Sequence, residues 1–270
     1  MREQQPPHAA YRRLALFDMP EDVKIGMNLA LYRTWGIPAI AAVLHQTGEI
    51  VRHTQRRSDD TGLIMYLLIY HGFEHPTSEK VLRRLNAMHH RLPISPEDYL
   101  YALASLMVVP TRWIARWGPR PLNAQERQGT FDFYAELGRR MGVQNIPASY
   151  DDVESWLDSF EVEHLRPSAQ AAALLRAARG MLVDRFPPAA RPVARRLVDA
   201  LLDPPLREAL GVPEPSMAAK ATVRLLLSAR AARARRRPPR TEPSFHPDGP
   251  VRSYPHGYDP DRLGPAYLNS

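Results

Sequence analysis

Apolar residues recur along this chain at intervals of three and four instead of alternating, a spacing that predicts helices throughout. The start signals are clearest in the second half. Ser95-Pro96-Glu97-Asp98 combines a capping hydroxyl, a proline suited to the first helical position and two carboxylates at the positive end of the dipole, so a helix is predicted from Pro96 to Trp117. Pro110 lies inside it and predicts a kink, because proline lacks the amide hydrogen and crowds the preceding turn. Asn123 with Glu126 has the form of a capping box, opening a helix that runs through Phe131, Tyr134, Leu137 and Met141 to Gly142. Further helices are predicted over Asp151 to Leu165, Ser168 to Phe186, Ala190 to Leu202 and Ser216 to Arg236, with proline-bearing joints between them. Beyond Arg237 the pattern stops. The reading is an all-α, single-domain body over 1–240, with an irregular tail over 241–270 whose Tyr254, Tyr258 and Tyr267 favour a segment laid across the body.

Composition narrows the chemistry more than the architecture. A chain of 270 residues with 44% hydrophobic residues can bury one sizeable core unaided. Cysteine is absent, which removes disulfides, zinc knuckles, iron–sulfur clusters and thiol nucleophiles together. The opening MREQQPPHAAYRRL has no apolar stretch behind its basic residues, so no secretory leader is expected and the mature chain should begin near Met1. Gly62 to Tyr70 and Leu100 to Pro110 are the longest apolar segments, shorter than the roughly 20 residues of a membrane span. A cytoplasmic protein without a transmembrane anchor, with membrane contact at most peripheral, is the resulting expectation. Walker, dinucleotide-glycine, HExxH and GxSxG patterns are all missing.

Histidines and arginines on apolar helices remain as candidates. On a helix from about Ser78 to His90, Leu82, Leu85 and His89 share one stripe, which places the His89 imidazole on the buried side and His90 a quarter-turn away. A buried neutral imidazole can ligate a metal through one nitrogen, yet spacing alone favours a hydrogen-bonded core histidine. His71 ranks next as a ligand and His90 third, with His45, His53 and His75 behind them. Arg57 and Thr61 stand four apart and can present a guanidinium and a hydroxyl to one ligand; the competing reading is a surface pair of Arg57 with Asp60 and a capping Thr61.

Much of the net charge of +7 sits late, between Arg224 and Arg240. This segment fits a binder of nucleic acid or of an acidic membrane surface, and equally a helix that docks by its leucines with arginines outward. No nucleic-acid reading motif accompanies it.

A series of short motifs adds a different kind of information. Arg57-Ser58-Asp59-Asp60-Thr61 is followed by Arg84-Leu85-Asn86-Ala87-Met88-His89 and by Pro93-Ile94-Ser95-Pro96-Glu97-Asp98-Tyr99-Leu100-Tyr101. Pro110-Thr111-Arg112-Trp113, Trp117-Gly118, Gly138 to Gly142, Ile146-Pro147, Phe160 to His164, Pro239-Arg240, Tyr254 to Tyr258 and Leu263-Gly264-Pro265 continue it. In order and gaps, from about Thr47 to Pro265, the series resembles the haem-dependent oxygenases of mycophenolic acid biosynthesis and latex clearing. That resemblance implies a distantly globin-like helical body, haem b as cofactor, and dioxygen-dependent cleavage or oxidation of a carbon–carbon double bond in an isoprenoid or other lipophilic substrate, with no nucleic-acid partner. It also implies His89 as the axial iron ligand, Arg57 and Thr61 as catalytic and haem-pocket residues, and Arg84 beside Arg57 for the propionates. Met65, Leu68, Leu103, Leu106 and Met107 would then wall the pocket, with Glu161, Glu163 and His164 as outer support or a solvated acidic face. The chain departs from the family's pattern at Asp60, where latex-clearing members have lysine, and at Glu49, which is too close to Arg57 to match their upstream glutamate. It also lacks a match to the amino-terminal anchor of the fungal relative. A catalytically silent haem or lipid binder of the same fold is the alternative.

Overall fold

The computed structural model describes residues 7–265, and all thirteen α-helices named below lie in that range. They are α1 (Pro7–Arg13), α2 (Pro20–Trp35), α3 (Pro38–Thr47), α4 (Glu49–Arg52), α5 (Thr54–His71), α6 (Pro76–His89), α7 (Pro96–Trp117), α8 (Ala124–Arg140), α9 (Tyr150–His164), α10 (Ala169–Val183), α11 (Arg191–Asp199), α12 (Pro204–Ala209) and α13 (Met217–Arg235). Among the described residues the only extended pairing is an isolated bridge between Val251 and Tyr254, so the chain is an all-α single domain. Tyr267 lies outside the described residues.

The capped helices form where their signals stand. Ser95 accepts from the Asp98 amide at 3.0 Å, and the Asn123–Glu126 box closes in both directions at 2.9 and 2.8 Å. The less marked helices of the first half have a physical reason for being less marked. α2 and α3 follow Met19 and Ile37, neither of which caps with its side chain, and only Pro20 and Pro38 signal their starts. α12 is a single short helix after Asp203 and has no amphipathic run to announce it.

α2 and α7 form the central helix pair. Their closest approach is at Gly26, where an added Cβ would stand 2.3 Å from the Pro110 Cα. α7 runs from Pro96 to Trp117 with Pro110 inside it, over the expected bounds. Around this pair, α1 packs on α8, α10 on α3 and α4, and α5 on α6. The larger core gathers fully buried Tyr11, Tyr101, Met107, Phe133, Tyr134 and Leu137; a smaller one joins Tyr32, Trp35, Leu174, Leu175 and Leu206.

The tail is laid across the body. Ser244 donates its amide to the Leu16 carbonyl at 2.8 Å, in a π-helical turn (Leu14–Asp18) whose wider coil leaves that acceptor available. Phe245 stacks on Tyr66 with centroids 5.3 Å apart, and Leu263 is fully buried. The basic helix α13 docks through part of its leucine run: Leu227 packs against the main core in line with buried Ala219, Val223 and Ala231, while Leu225 and Leu226 are exposed.

Candidate active site on helices five and six

Helix α5 enters the interior with its polar first turns and leaves with apolar ones, since Leu63, Ile64, Met65, Leu67, Leu68 and Ile69 are buried. Asp60 stands at that transition and is fully buried. Its carboxylate accepts from Arg57 Nη1 at 2.8 Å and from the Tyr254 hydroxyl, while the neighbouring Asp59 accepts from Ser253 of the tail. The expected surface pair is thus a buried one, closed by the tail. Thr61 is no cap: it lies within α5 and donates its hydroxyl to the Arg57 carbonyl at 2.9 Å. Arg56 lies 5.9 Å over the Tyr254 ring.

Helix α6 begins at Pro76, with His75 Nδ1 accepting from Thr77, and buries Val81, Leu82, Leu85 and Met88 along one stripe. His89 closes the stripe, half-buried, with its Nδ1 enclosed and, among the described residues, without a hydrogen-bond partner. Burial, with smaller contributions from His90 and Arg57, pushes its pKa down to about 4, so the ring is neutral at physiological pH. Its backbone carbonyl accepts from the Tyr99 hydroxyl at 2.6 Å, and the two rings lie 5.3 Å apart. His90 is exposed and bonds the Asn86 carbonyl through Nδ1. His71 stacks on His75 at 4.0 Å, and His45 and His53 are exposed. Of these candidates His89 is the one with an orphaned, enclosed ring nitrogen.

Arg84, one turn before Met88, donates from Nε to the Leu263 carbonyl at 2.6 Å. Burial lowers its pKa, Asp60 raises it, and Arg91, Arg262 and Arg57 lower it further. Gly264 passes so close to Met88 that a Cβ would meet its sulfur at 2.7 Å, with Arg57 Nη1 at 3.6 Å. At φ +103° this position also belongs to glycine on conformational grounds. The structure therefore brings Arg57, Arg84 and His89 into one neighbourhood sealed by residues 253–264. Thr61 points its hydroxyl into the backbone. Met65, Leu68, Leu103 and Met107 are buried in the main core, with Leu106 packed partly against it.

Glu161 belongs elsewhere. It is buried and held by Arg33 through two bonds of 2.5 Å and by the Tyr101 hydroxyl at 3.0 Å, tying α9 to α2 and α7. Glu163 is exposed, and His164 stacks on Phe160. Arg33, the partner that completes this pair, carries no motif; a single arginine after the apolar run Leu29 to Tyr32 is its only signal in sequence. Among the described residues no three histidines, aspartates or glutamates group as a metal site.

The family described as the ER-bound oxygenase mpaB/B'/rubber oxygenase catalytic domain matches residues 24–234. The chain belongs to this oxygenase family. It is 28% identical over 209 residues to ER-bound oxygenase mpaB of Penicillium roqueforti, covering 70% of this chain and 69% of that protein. It is 24% identical over 240 residues to ER-bound oxygenase mpaB' of Penicillium brevicompactum, covering 81% of this chain and 56% of that one. The mpaB of Penicillium brevicompactum is likewise 24% identical, over 74% of this chain and 58% of its own length. The family match spans α5, α6 and the helices that frame them but ends before the tail, so the residues that seal the site from 253 onward are additional to it. Among the described residues no helix is long and apolar enough to cross a membrane.

Proposed function

We propose that this chain is a haem b-dependent oxygenase that uses dioxygen to cleave or oxidise a carbon–carbon double bond of a lipophilic, isoprenoid-like substrate. The observation that carries the reading is His89, a neutral imidazole with an enclosed and unpartnered nitrogen inside an oxygenase family's matched region. An orphaned buried polar atom costs free energy unless something completes it, and a neutral imidazole is a ligand of the right chemistry for a haem iron. The residues fit such a group. His89 would hold the iron, and Arg57 and Arg84, which stand beside each other under the tail, would meet the two propionates. When bound, haem supplies the redox chemistry of dioxygen activation. The chain's own part is to hold His89 through the Tyr99–carbonyl bond, to keep Arg57 oriented by Asp60, and to exclude water with Leu263 and Gly264.

The test is an absorption spectrum of the purified protein supplied with haemin. A Soret band is expected, lost in His89→Ala and retained in His90→Ala. No Soret band in the parent protein overturns the reading, and loss in His90→Ala alone moves the ligand by one residue. A retained Soret band without dioxygen uptake on any polyisoprenoid would instead support a haem binder without turnover.

A further inference from the structure

Helix α13 has two apolar faces. One packs inward through Ala219, Val223 and Ala231, with Arg230 reaching the buried Asp22 and the Trp117 carbonyl. On the other side, Ala218, Ala221, Leu225, Ala229 and Ala232 follow at intervals of three and four and are all exposed, forming one outward row. Met217, Leu225 and Leu226 are 78%, 69% and 55% exposed, an arrangement that costs solvation unless something covers it.

Charge surrounds this row with one sign. No acidic residue occurs between Glu214 and Glu242. Arg224, Arg233, Arg236, Arg237 and Arg240 are exposed and, among the described residues, none makes an ion pair. Packed beside α13, α11 adds exposed Val193, Arg195 and Arg196. A helix with an outward apolar row, flanking arginines and no carboxylates has the form of one that lies in a lipid interface.

We propose that the outward face of α13, with α11 beside it, docks on an anionic lipid bilayer, the leucines entering the acyl boundary and the arginines meeting lipid phosphates. Charge complementarity selects this occupant. A second copy paired through the same face would bring arginines against arginines. A nucleic acid would satisfy the arginines but leave Leu225 and Leu226 against water and phosphate. The proposal is independent of haem binding.

Co-sedimentation with vesicles tests it, comparing phosphatidylcholine alone with a mixture containing phosphatidylglycerol. Binding is expected to the mixed vesicles only, weakening as salt rises, and falling about fivefold for each arginine replaced in Arg224→Gln, Arg233→Gln, Arg236→Gln and Arg237→Gln. Leu225→Ser with Leu226→Ser should reduce binding at least about tenfold, since both side chains leave the acyl boundary. These positions face solvent, and the lipid-charge and salt dependence of the parent protein stands as a measurement even if a variant fails to fold. Equal binding to neutral vesicles, or binding untouched by either set, overturns the proposal. So does a concentration-dependent dimer lost in the leucine variant without vesicle binding, and so does salt-sensitive binding to DNA in place of vesicles.

Discussion

Single residues in this molecule differ in how far their buried polar atoms are satisfied: Ser78, Ser105, Tyr150, Arg230 and His89 each keep an unpartnered one among the described residues, and of these His89 alone is a metal-ligating imidazole. Glu161 is closed: Arg33 and Tyr101 satisfy a carboxylate that has left water. Replacing it by glutamine leaves Arg33 buried with only the partly exposed Asp203 opposite, so Glu161→Gln should lose about 3 kcal/mol of unfolding free energy in a urea titration. A loss below about 1 kcal/mol would show that Asp203 or solvent compensates. Gly26 is closed in a different sense. Its missing Cβ is the space that Pro110 occupies, and Gly26→Ala should destabilise by about 3 kcal/mol through forced separation of α2 and α7, read by the same titration. His89 is open, because nothing among the described residues completes its Nδ1. The sequence placed it on the right stripe, but its orphaned nitrogen depends on what α7 and the tail put around it.

Elements in this chain are started by local chemistry and placed by distant contacts. α8 illustrates the first half. Burial raises the Glu126 pKa, but bonds from Arg120 and the Asn123 amide outweigh this and hold it below its ordinary value of 4.5. A depressed carboxylate contributes stability that is fully present above the unfolded value and is lost as pH falls through the folded one. Unfolding titrations between pH 6 and 3 should therefore show the parent protein losing more stability than Glu126→Gln, the variant being weaker by about 1 kcal/mol at neutral pH. Parallel pH slopes would remove Glu126 from the account. Starts predicted at Ser95, Asn123, Asp151, Ser168 and Ser216 agree with the observed helices to within a few residues, since the capping side chains of Ser95, Asn123, Ser149, Ser168 and Ser216 act on the amides beside them. Which face of α13 turns inward was not legible. Of its three consecutive leucines only Leu227 packs inward, in line with Ala219, Val223 and Ala231, and which of the three does so is decided by the elements α13 rests on.

At the scale of the whole molecule, the tail covers two adjacent helices, α5 and α6. Tyr254 closes on Asp60, Ser253 on Asp59, and Leu263 covers α6 through its bond from Arg84. A chain ending at Arg240 should lose the burial of Leu263 and of the tail aromatics, at least about 3 kcal/mol, seen as a melting temperature lower by roughly 6–12 °C. On the proposed function it should also release haem faster to an apomyoglobin acceptor. An unchanged melting temperature would show that the tail rests on the body without stabilising it.

The all-α class, the capped helices, the absence of thiol chemistry and the stripe bearing His89 follow from the sequence by itself, because each depends on residues within a few positions of one another. The membership that joins Arg57, Arg84 and His89 in one series is also written there as an ordered set of motifs. What only the tertiary structure decided is who faces whom. Arg33 meets Glu161 across 128 residues, Tyr254 meets Asp60 across 194, and Arg230 meets Asp22 across 208. Pairings at that separation are set by how helices cross, which no local spacing encodes, and it is those pairings that bury Asp60, leave His89 unpartnered and turn Leu225 outward.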